Sequence, residues 1–360
     1  MTVAERAASF TYTAWPARVV FGSGASAQLA AEVERLGAKR ALVLCTPEQR
    51  DVAESIAAHL GDRLAGFFPR AVMHVPIETA EAARDAAAQT QADCCVAIGG
   101  GSTTGLGKAI ALVTGLPIVA VPTTYAGSEM TPIYGLTENG VKRTGREPRV
   151  LPRTVIYDPE LTLTLPPAQS AASGLNAMAH AVEALYAVDA NPITSLMAEE
   201  SIRALAEALP AIVAVPGDRE ARANALYGAW LAGTVLGAVS MALHHKLCHT
   251  LGGSYNLPHA ETHAVVLPYA AAYNAPAAPG AMARVARALG TTDAALGLYE
   301  LARASGVPRS LASLGMRAAD LDAAADLAAR DAYPNPRPIE RGAIRELLQA
   351  AFDGNVPSPK

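Results

Sequence analysis

Cysteine is scarce in this sequence of 360 residues, and the four cysteines form no CxxC pair. A disulfide framework or a zinc site built from thiolates needs closely spaced cysteine pairs, so the sequence argues against both. Cys248 differs from the others because it lies between His245 and His249. Two interpretations of Cys248 stay open: a small apolar residue that fills a core, or a thiol beside an active site whose modification would block activity.

The sequence also lacks a run rich in lysine and arginine, and its net charge is -4. A nucleic-acid partner is therefore not expected. Charged residues or histidine interrupt every apolar run before it is long enough to span a bilayer, so no membrane partner is expected either. The N-terminal residues include Glu5 and lack an apolar signal segment, which predicts a cytoplasmic location.

A chain of 360 residues exceeds what one hydrophobic core usually supports, which predicts two domains. Residues 40–45, 94–98 and 117–121 are continuous apolar runs, and helical patterns separate them. Such runs predict the strands of a parallel sheet that is covered by helices on both faces. We therefore assign residues 1–165 to an α/β domain.

From residue 166 the composition changes to alanine and leucine at helical spacing. This pattern predicts an all-helical domain over residues 166–360. Pro210 and the pair Gly252-Gly253 are predicted to break helices within it. A last helix is predicted over residues 340–352.

A glycine-rich turn follows the second predicted strand and precedes a predicted helix; it consists of Gly99, Gly100, Gly101 and Ser102. Glycine lets the backbone approach an anion closely, and a helix N-terminus supplies free N–H donors. The turn therefore predicts a diphosphate site, and a plain structural turn is the alternative. A second turn follows the next predicted strand and offers Thr123, Thr124 and Ser128. Both turns leave the same end of neighbouring parallel strands, where open α/β sheets bind ligands.

Histidine is concentrated in one stretch, which contains His244, His245, His249, His259 and His263. His245 and His249 are four residues apart and therefore share one face of a helix. The glycine pair is predicted to end that helix before His259 begins the next segment. A cluster of this kind suits proton transfer, metal ligation or carbonyl polarisation. The alternative is a set of surface or core-capping histidines.

Asn176 and His180 form a second polar pair, since they are four residues apart on a predicted helix. Together with His245 and His259 they can form a constellation of four ligands. The alternative is a buried polar contact without a catalytic role. The four-ligand interpretation places a site between the two predicted domains, where clefts commonly occur.

These motifs resemble the iron-containing alcohol dehydrogenase family, whose relatives include glycerol dehydrogenase and dehydroquinate synthase. The resemblance covers nearly the whole chain and rests on the following segments and residues: GGGS at 99–102, PTTYAGSE at 122–129, DPEL at 158–161, Asn176, His180, His245, His249 and His259. It implies an N-terminal dinucleotide-binding domain and a C-terminal helical catalytic domain, with a metal in the cleft.

Two departures from the family pattern distinguish this chain. Asn176 and Gly105 each occupy a position where metal-dependent or typical members carry an aspartate. Both departures resemble the branch whose members reduce the carbon–carbon double bond of maleylacetate to 3-oxoadipate during the catabolism of aromatic compounds. That branch implies NADH as the cofactor, with NADPH possible, and no required metal. His180, His245 and His259 are the residual metal candidates.

The resemblance also implies roles for individual residues. Hydride addition to an enone places negative charge on the ketone oxygen, which cationic or N–H-donating histidines could stabilise before a proton is delivered. The catalytic candidates are His180, His245, His249, His259 and Asn176. A dicarboxylate substrate needs fixed positive groups, and the candidates around the substrate are His244, Lys246, Arg337 and Cys248. A homodimer is expected.

The cofactor preference is predicted from the end of the first apolar strand. An acidic residue there commonly holds the ribose 2′-hydroxyl and repels a 2′-phosphate. This chain has Thr46 and Pro47 instead, with no carboxylate until Glu48. We therefore expect modest discrimination between NADH and NADPH.

Three other functions stay open. A metal-dependent alcohol or polyol dehydrogenase is disfavoured by Asn176. A lyase of the dehydroquinate synthase type needs a metal and a lysine-rich phosphate site. A binding protein without catalytic activity is disfavoured by the histidine cluster.

Overall fold

The structure is a computed structural model that describes residues 10–15, 17–138, 141–330 and 333–358, without the side chains of residues 141 and 142. The chain divides into two compact units, one formed by Ala14–Leu165 and the other by the described residues before Ala14 together with those from Pro166 onward.

The first unit contains a parallel sheet of six strands. Its strands, in chain order, are β1 (Arg18–Phe21), β2 (Ala41–Leu44), β3 (Leu64–Phe68), β4 (Cys94–Gly99), β5 (Ile118–Pro122) and β8 (Thr154–Tyr157). The spatial order is β1-β8-β5-β4-β2-β3. This sheet confirms the predicted parallel α/β fold, because the apolar runs that predicted strands lie within it.

Helices cover both faces of the sheet; they are α1 (Leu29–Arg35), α2 (Arg50–Ala57), α3 (Ile77–Gln89) and α4 (Gly101–Thr114). Val43 packs in one buried cluster with Val33 of α1 and Ile56 of α2. Its neighbour Leu42 points to the opposite face and packs with Ile110 of α4. This alternation explains why the strand is apolar at every position.

A hairpin that the apolar pattern does not predict follows β5. It pairs β6 (Ile133–Glu138) with β7 (Val141–Arg146) in antiparallel register. Its strands are mixed in polarity, so they lack the continuous apolar run of the sheet strands. The sequence between them, Asn139-Gly140, is the dipeptide typical of a two-residue hairpin turn and was the available signal.

The second unit is helical, as predicted. Its helices are α5 (Pro167–Tyr186), α6 (Pro192–Ala214), α7 (Arg219–Ala238), α8 (Leu243–Tyr255), α9 (His259–Asn274), α10 (Pro279–Leu289), α11 (Ala294–Ala304), α12 (Leu321–Ala329) and α13 (Arg341–Asp353). Leu243, Leu247 and Leu251 of α8 are buried in a core cluster with residues of α9, α12 and α13.

Two predicted helix breaks in this unit are wrong. The helix α8 continues through Gly252 and Gly253 and ends at Tyr255, where Asn256 adopts a left-handed conformation. The helix α6 likewise contains Pro210 in its interior. Packing of an apolar face against neighbouring helices outweighs the roughly 1–3 kcal/mol that glycine or proline costs a helix.

Among the described residues, no single helix is long and apolar enough to cross a membrane. One bent pair, α7 with α8, passes a test of length and composition when the two helices are taken together.

Candidate active site

The carboxyl edge of the sheet carries the predicted cofactor turns. Gly99 at the end of β4 pairs in register with Pro122 at the end of β5. The N–H of Thr123 donates to the carbonyl oxygen of Gly99 at 3.1 Å. The two turns therefore leave neighbouring strands at the same level, as parallel pairing requires.

Glycine is required at the first position of the glycine-rich turn. Gly99 has φ 149°, and a Cβ there would lie 2.5 Å from Thr103 Oγ1 and 2.6 Å from Gln49 Oε1. The helix α4 begins at Gly101, and its N-cap Gly100 supplies no side-chain hydrogen bond to the first turn. The N-terminal N–H groups of α4 are thus without a side-chain cap, which is the arrangement that binds phosphate.

Gln49 is a residue of this edge that the sequence did not single out. It closes a short 3-10 turn, Pro47–Gln49, that begins directly after Thr46. Its Nε2 donates to Thr123 Oγ1 at 2.7 Å and so bridges the edge from β2 to β5. The carboxyl of the neighbouring Glu48 has a lowered pKa, because it accepts hydrogen bonds from the backbone N–H of Glu48 and from the side chain of Thr46.

Lys108 fixes the end of the second turn from inside the unit. Its buried Nζ donates to the carbonyl oxygens of Ser128 at 2.6 Å and Ile133 at 2.7 Å, and to Thr131 Oγ1 at 3.0 Å. Burial lowers the pKa of Lys108 to about 7, and the carboxylate of Glu129 opposes that shift. Because Lys108 lies on α4, it ties the glycine-rich turn to the segment that carries Ser128.

Asp158 organises a third loop at the same edge. Its carboxylate accepts hydrogen bonds from the N–H of Gly24 at 3.0 Å, the N–H of Ser26 at 3.1 Å and the Ser26 hydroxyl at 2.7 Å. The DPEL segment thus holds the Gly22–Ser26 loop that follows β1.

Gly105, one of the two departures from the family pattern, has a packing explanation. A Cβ at this position would lie 2.9 Å from Val75 Cγ2. An aspartate at position 105 would therefore require Val75 to move.

Six histidines from three helices form one cluster in the second unit. His180 projects from α5, three histidines project from α8, and two project from the first turns of α9: His180, His244, His245, His249, His259 and His263. The ring centre of His245 lies 5.0 Å from that of His180, 5.1 Å from that of His263 and 6.1 Å from that of His249. The ring centres of His259 and His263 are 4.4 Å apart.

Burial makes the core of this cluster neutral. His180, His244, His245 and His263 are buried, and burial together with mutual repulsion lowers the pKa of each, to about 4 for His244. Of the two predicted forms, cationic or N–H-donating, burial favours the neutral, N–H-donating form for these four. A neutral imidazole offers one N–H donor and one lone pair, and burial disfavours the imidazolium because it would lose its hydration.

Hydrogen bonds fix two of the ring orientations. Nδ1 of His245 lies 2.6 Å from Oε2 of Glu183, and Nε2 of His244 lies 3.0 Å from the carbonyl oxygen of His263. Burial raises the pKa of Glu183, and nearby His244 and the N–H groups at the start of α8 oppose that rise.

Several buried polar atoms of the described cluster have no hydrogen-bond partner: Asn176 Oδ1, His180 Nδ1, His244 Nδ1, His245 Nε2, His263 Nδ1 and His263 Nε2. Asn176 and His180 share one face of α5, as predicted. Ring nitrogens of His244, His245 and His263 also lie within 4.8 Å of one another. Buried polar atoms are nearly always satisfied in folded proteins, so this concentration indicates a site for a polar ligand.

Two of the predicted substrate residues, Lys246 and Arg337, have different surroundings. Lys246 lies beside His245 on α8, with Nζ 5.6 Å from the ring centre of Tyr333. Arg337 stacks on Tyr273 at 4.3 Å and donates to the Tyr273 carbonyl oxygen at 3.3 Å. Tyr273 is near the end of α9. The role of Arg337 in binding substrate stays a prediction.

Of the two interpretations of Cys248, its burial favours the small apolar residue that fills a core. Its thiol is buried in the core beside Leu247 and Leu251, with Sγ 3.6 Å from Nε2 of His244. Burial and the nearby Glu183 carboxylate raise the pKa of Cys248 well above its ordinary value. Because the neighbouring His244 is neutral, no positive charge offsets these effects.

The catalytic candidates did not include two residues of the cluster: Glu183, and His263 of the histidine-rich stretch. Glu183 follows Asn176 by seven residues and His180 by three, so all three share one helix face. His263 follows His259 by four residues on α9. The helical spacing was the signal for both, and it became usable once His180 and His259 were candidates.

Known proteins resemble the chain over nearly its whole length. The sequence model of the family described as "Iron-containing alcohol dehydrogenase" matches residues 16–159, and that of "Fe-containing alcohol dehydrogenase family, C-terminal" matches residues 170–352. The maleylacetate reductase of Burkholderia cepacia is 63% identical over 97% of this chain and 99% of its own length. The maleylacetate reductase of Sphingobium indicum is 59% identical over 97% of this chain and 99% of its own length. The crystal structure of maleylacetate reductase from Agrobacterium tumefaciens has a TM-score of 0.94 at 59% identity, covering 97% of this chain and 99% of that one.

Proposed function

The chain belongs to the iron-containing alcohol dehydrogenase family, and we propose that it reduces the carbon–carbon double bond of maleylacetate with a reduced nicotinamide cofactor. The product is 3-oxoadipate. The observation that carries the substrate assignment is the 63% identity to a maleylacetate reductase over 97% of the chain. The histidine cluster, with Asn176 at its edge, supplies groups that fit this chemistry.

The reaction moves a hydride and a proton. The nicotinamide transfers a hydride to the alkene carbon that is β to the ketone, and the double bond shifts to give an enolate. A proton then adds to the α carbon, and the cofactor leaves oxidised. The protein must therefore stabilise negative charge on the ketone oxygen and deliver one proton.

His263 is the best placed of the described histidines to donate a hydrogen bond to an enolate. It is 1% exposed, neither ring nitrogen has a partner, and its lowered pKa keeps it neutral. A neutral imidazole carries one N–H, so His263 offers a buried donor that a substrate oxygen can use. A donor fixed in a dry site stabilises developing charge more than one in water does.

His249 and His259 are the candidates for proton delivery. His249 is exposed and His259 is partly exposed, whereas the other four histidines are buried. Their rings adjoin the buried core through His245 and His263. A group at this rim can exchange protons with solvent between turnovers, which a fully buried imidazole cannot readily do. Lys246 stays our candidate for binding a substrate carboxylate.

The family name implies iron, and the residues at the matching positions do not fit a firmly held divalent ion. His180 and His245 are neutral imidazoles whose unpartnered nitrogens could act as ligands, and His259 adds a third. Asn176, however, offers a neutral amide oxygen in place of a carboxylate. The lost charge is worth a few kcal/mol of affinity, or roughly two decades. We therefore derive no step of the reaction through a metal.

Asn176→Asp tests this part of the proposal. We expect the wild-type protein to contain well below one iron or zinc per chain and to keep its activity after chelation. The aspartate variant should gain metal occupancy without gaining maleylacetate reduction. Elemental analysis and activity before and after a chelator measure both quantities. Stoichiometric metal in the wild type, with activity lost on chelation, contradicts the proposal.

The cofactor is proposed to be NADH, with NADPH also accepted. Thr46 occupies the position after β2 where a carboxylate would repel a 2′-phosphate. Glu48 is the nearest acidic residue and is exposed. A selectivity beyond about a thousandfold, or roughly 4 kcal/mol, would contradict this part of the proposal.

Steady-state kinetics test the substrate assignment. We expect efficient NADH oxidation with maleylacetate and little NAD reduction with ethanol, glycerol or 1,3-propanediol. The alcohols serve as controls because other members of the family act on such compounds. Comparable catalytic efficiency with an alcohol would show that the substrate assignment is wrong.

A further inference from the structure

Glu183 makes contacts that the proposed transfers of hydride and proton do not use. Its carboxylate is fully buried on α5 and accepts hydrogen bonds from the N–H of Ala242 at 3.0 Å and the N–H of His244 at 2.8 Å. It also meets Nδ1 of His245 at 2.6 Å. The acidic side chain of one helix thus satisfies the start of another helix and one ring of the catalytic cluster.

The helix α8 depends on Glu183 for its N-terminal cap. Ala242 is its N-cap residue and supplies no side-chain hydrogen bond. The Glu183 carboxylate takes over this function from α5, and the positive end of the α8 dipole stabilises the buried anion. Glu183 therefore sets the position at which α8 presents His244 and His245.

The same carboxylate determines which nitrogen of His245 carries the proton. Burial disfavours the anion, but both of its oxygens accept backbone N–H groups at a helix N-terminus, and these hydrogen bonds favour the ionised carboxylate. An ionised carboxylate only accepts hydrogen bonds, so Nδ1 of His245 must be the donor. In the neutral ring, Nε2 then holds a lone pair, and this atom is buried without a partner among the described residues.

We propose that Glu183 is a positioning residue of the reduction, which holds His245 as the Nδ1–H tautomer and presents its Nε2 lone pair within the histidine cluster. In this tautomer Nε2 accepts a hydrogen bond and has no proton to give. The proton that completes the reduction therefore comes from another group. Only the expected effect on kcat rests on the proposed function. The tautomer of His245 does not depend on it, because it exists without substrate.

Glu183→Gln is the test variant, because it keeps the size of the side chain. Its amide oxygen can still accept a backbone N–H, whereas its NH2 group cannot accept the Nδ1–H of His245. Asp189→Asn is the matched control. The carboxylate of Asp189 accepts hydrogen bonds from the N–H and the hydroxyl of Ser240, just before α8, each at 2.9 Å.

The measurement is nitrogen-15 NMR of histidine-labelled protein, with the His245 signals assigned from a His245→Gln spectrum. Steady-state kinetics with maleylacetate and NADH accompany it. We expect a protonated Nδ1 and an unprotonated Nε2 in the wild type and in the control. Glu183→Gln should move the proton to Nε2 and lower kcat by about 10- to 100-fold. The KM for NADH should change little, because Glu183 does not lie in the nucleotide-binding unit.

Three results would overturn the role of Glu183: an Nε2–H tautomer in the wild type, an unchanged tautomer in Glu183→Gln, or a changed tautomer with kcat kept. If Glu183→Gln does not fold, Glu183→Asp replaces it, and the wild-type spectrum alone still tests the tautomer. A wild type that shows the Nδ1–H tautomer and does not reduce maleylacetate would contradict the proposed function instead. The two proposals can thus fail separately.

Discussion

The chemistry of Cys248 is decided by its surroundings rather than by its place in the sequence. Its position between His245 and His249 suggested an activated thiol. Burial lowers the pKa of His244 and His245, so these two rings are neutral and supply no positive charge that would activate it. The thiol lies in an apolar core with a raised pKa, so little reactive thiolate forms at neutral pH.

We therefore expect thiol reagents to inactivate the native enzyme slowly, since all four cysteines are buried. Cys248→Ala should lose activity to a maleimide at a rate within about twofold of the wild type. Inactivation time courses with and without NADH measure this. Rapid inactivation that Cys248→Ala abolishes would show that the thiol is reactive after all.

His244 gives the helical unit a pH-dependent stability. Its ordinary pKa is 6.5, and burial lowers it to about 4 in the folded protein. Between these values the unfolded chain binds a proton that the folded chain excludes, so acid favours unfolding. The stabilisation that neutral His244 gives the folded protein is complete above pH 6.5 and is lost as the pH falls towards 4.

His244→Gln should remove this dependence. Relative to the variant, the wild type should lose about 3 kcal/mol of unfolding free energy between pH 6.5 and pH 4. Urea titrations of both proteins across that range, followed by circular dichroism, give the difference. Parallel stability curves would contradict a lowered pKa for His244.

At the scale of elements, Lys108 connects the glycine-rich turn to the turn that ends at Ser128. Removing its ammonium group takes a buried donor away from the carbonyl oxygen of Ile133 and from the hydroxyl of Thr131, whereas the carbonyl oxygen of Ser128 keeps hydrogen bonds from the N–H and the hydroxyl of Thr131. An unsatisfied buried acceptor costs about 1–3 kcal/mol. The turn should then be held less firmly.

Lys108→Met should raise the KM for NADH at least fivefold and change the KM for maleylacetate less. Arg84→Met is the control. Arg84 lies on α3 and donates to the carbonyl oxygen of Ala109 on α4, the helix that carries Lys108, and not to the turn. Initial rates over both substrate concentrations separate the two constants. Equal effects of the two substitutions would indicate loss of helix packing rather than of cofactor positioning.

The elements also show what sequence patterns can predict. The strands β2, β4 and β5 were predictable because each is apolar at every position and is buried on both faces. The hairpin β6–β7 has no such run. The course of α8 through two glycines depends on packing between Leu251 and its neighbours, which no local pattern reveals.

The same limit applies to the site. Spacing along one helix predicted that Asn176 and His180 share a face, and motif order pointed to His245 and His259. The hydrogen bond from His245 to Glu183 joins segments about sixty residues apart. The burial that neutralises the core histidines likewise depends on helices that are distant in the sequence. Such contacts follow from the tertiary fold and not from local spacing.

At the scale of the whole molecule, two units carry separate parts of the proposed reaction. The unit Ala14–Leu165 has the turns that suit a dinucleotide, and the helical unit has the histidine cluster. The homodimer and the cytoplasmic location stay predictions. The central claim is that hydride reaches a carbon–carbon double bond and not a carbonyl group.

The most direct test of that claim follows deuterium from the cofactor into the product. Chelator-treated enzyme converts maleylacetate with NADH that carries deuterium at the transferred position of C4, and the product is examined by NMR and mass spectrometry. The account predicts 3-oxoadipate with one deuterium on the methylene carbon next to the carboxylate that is farther from the ketone. Deuterium on a newly formed carbinol carbon, or no product after chelation, would contradict it.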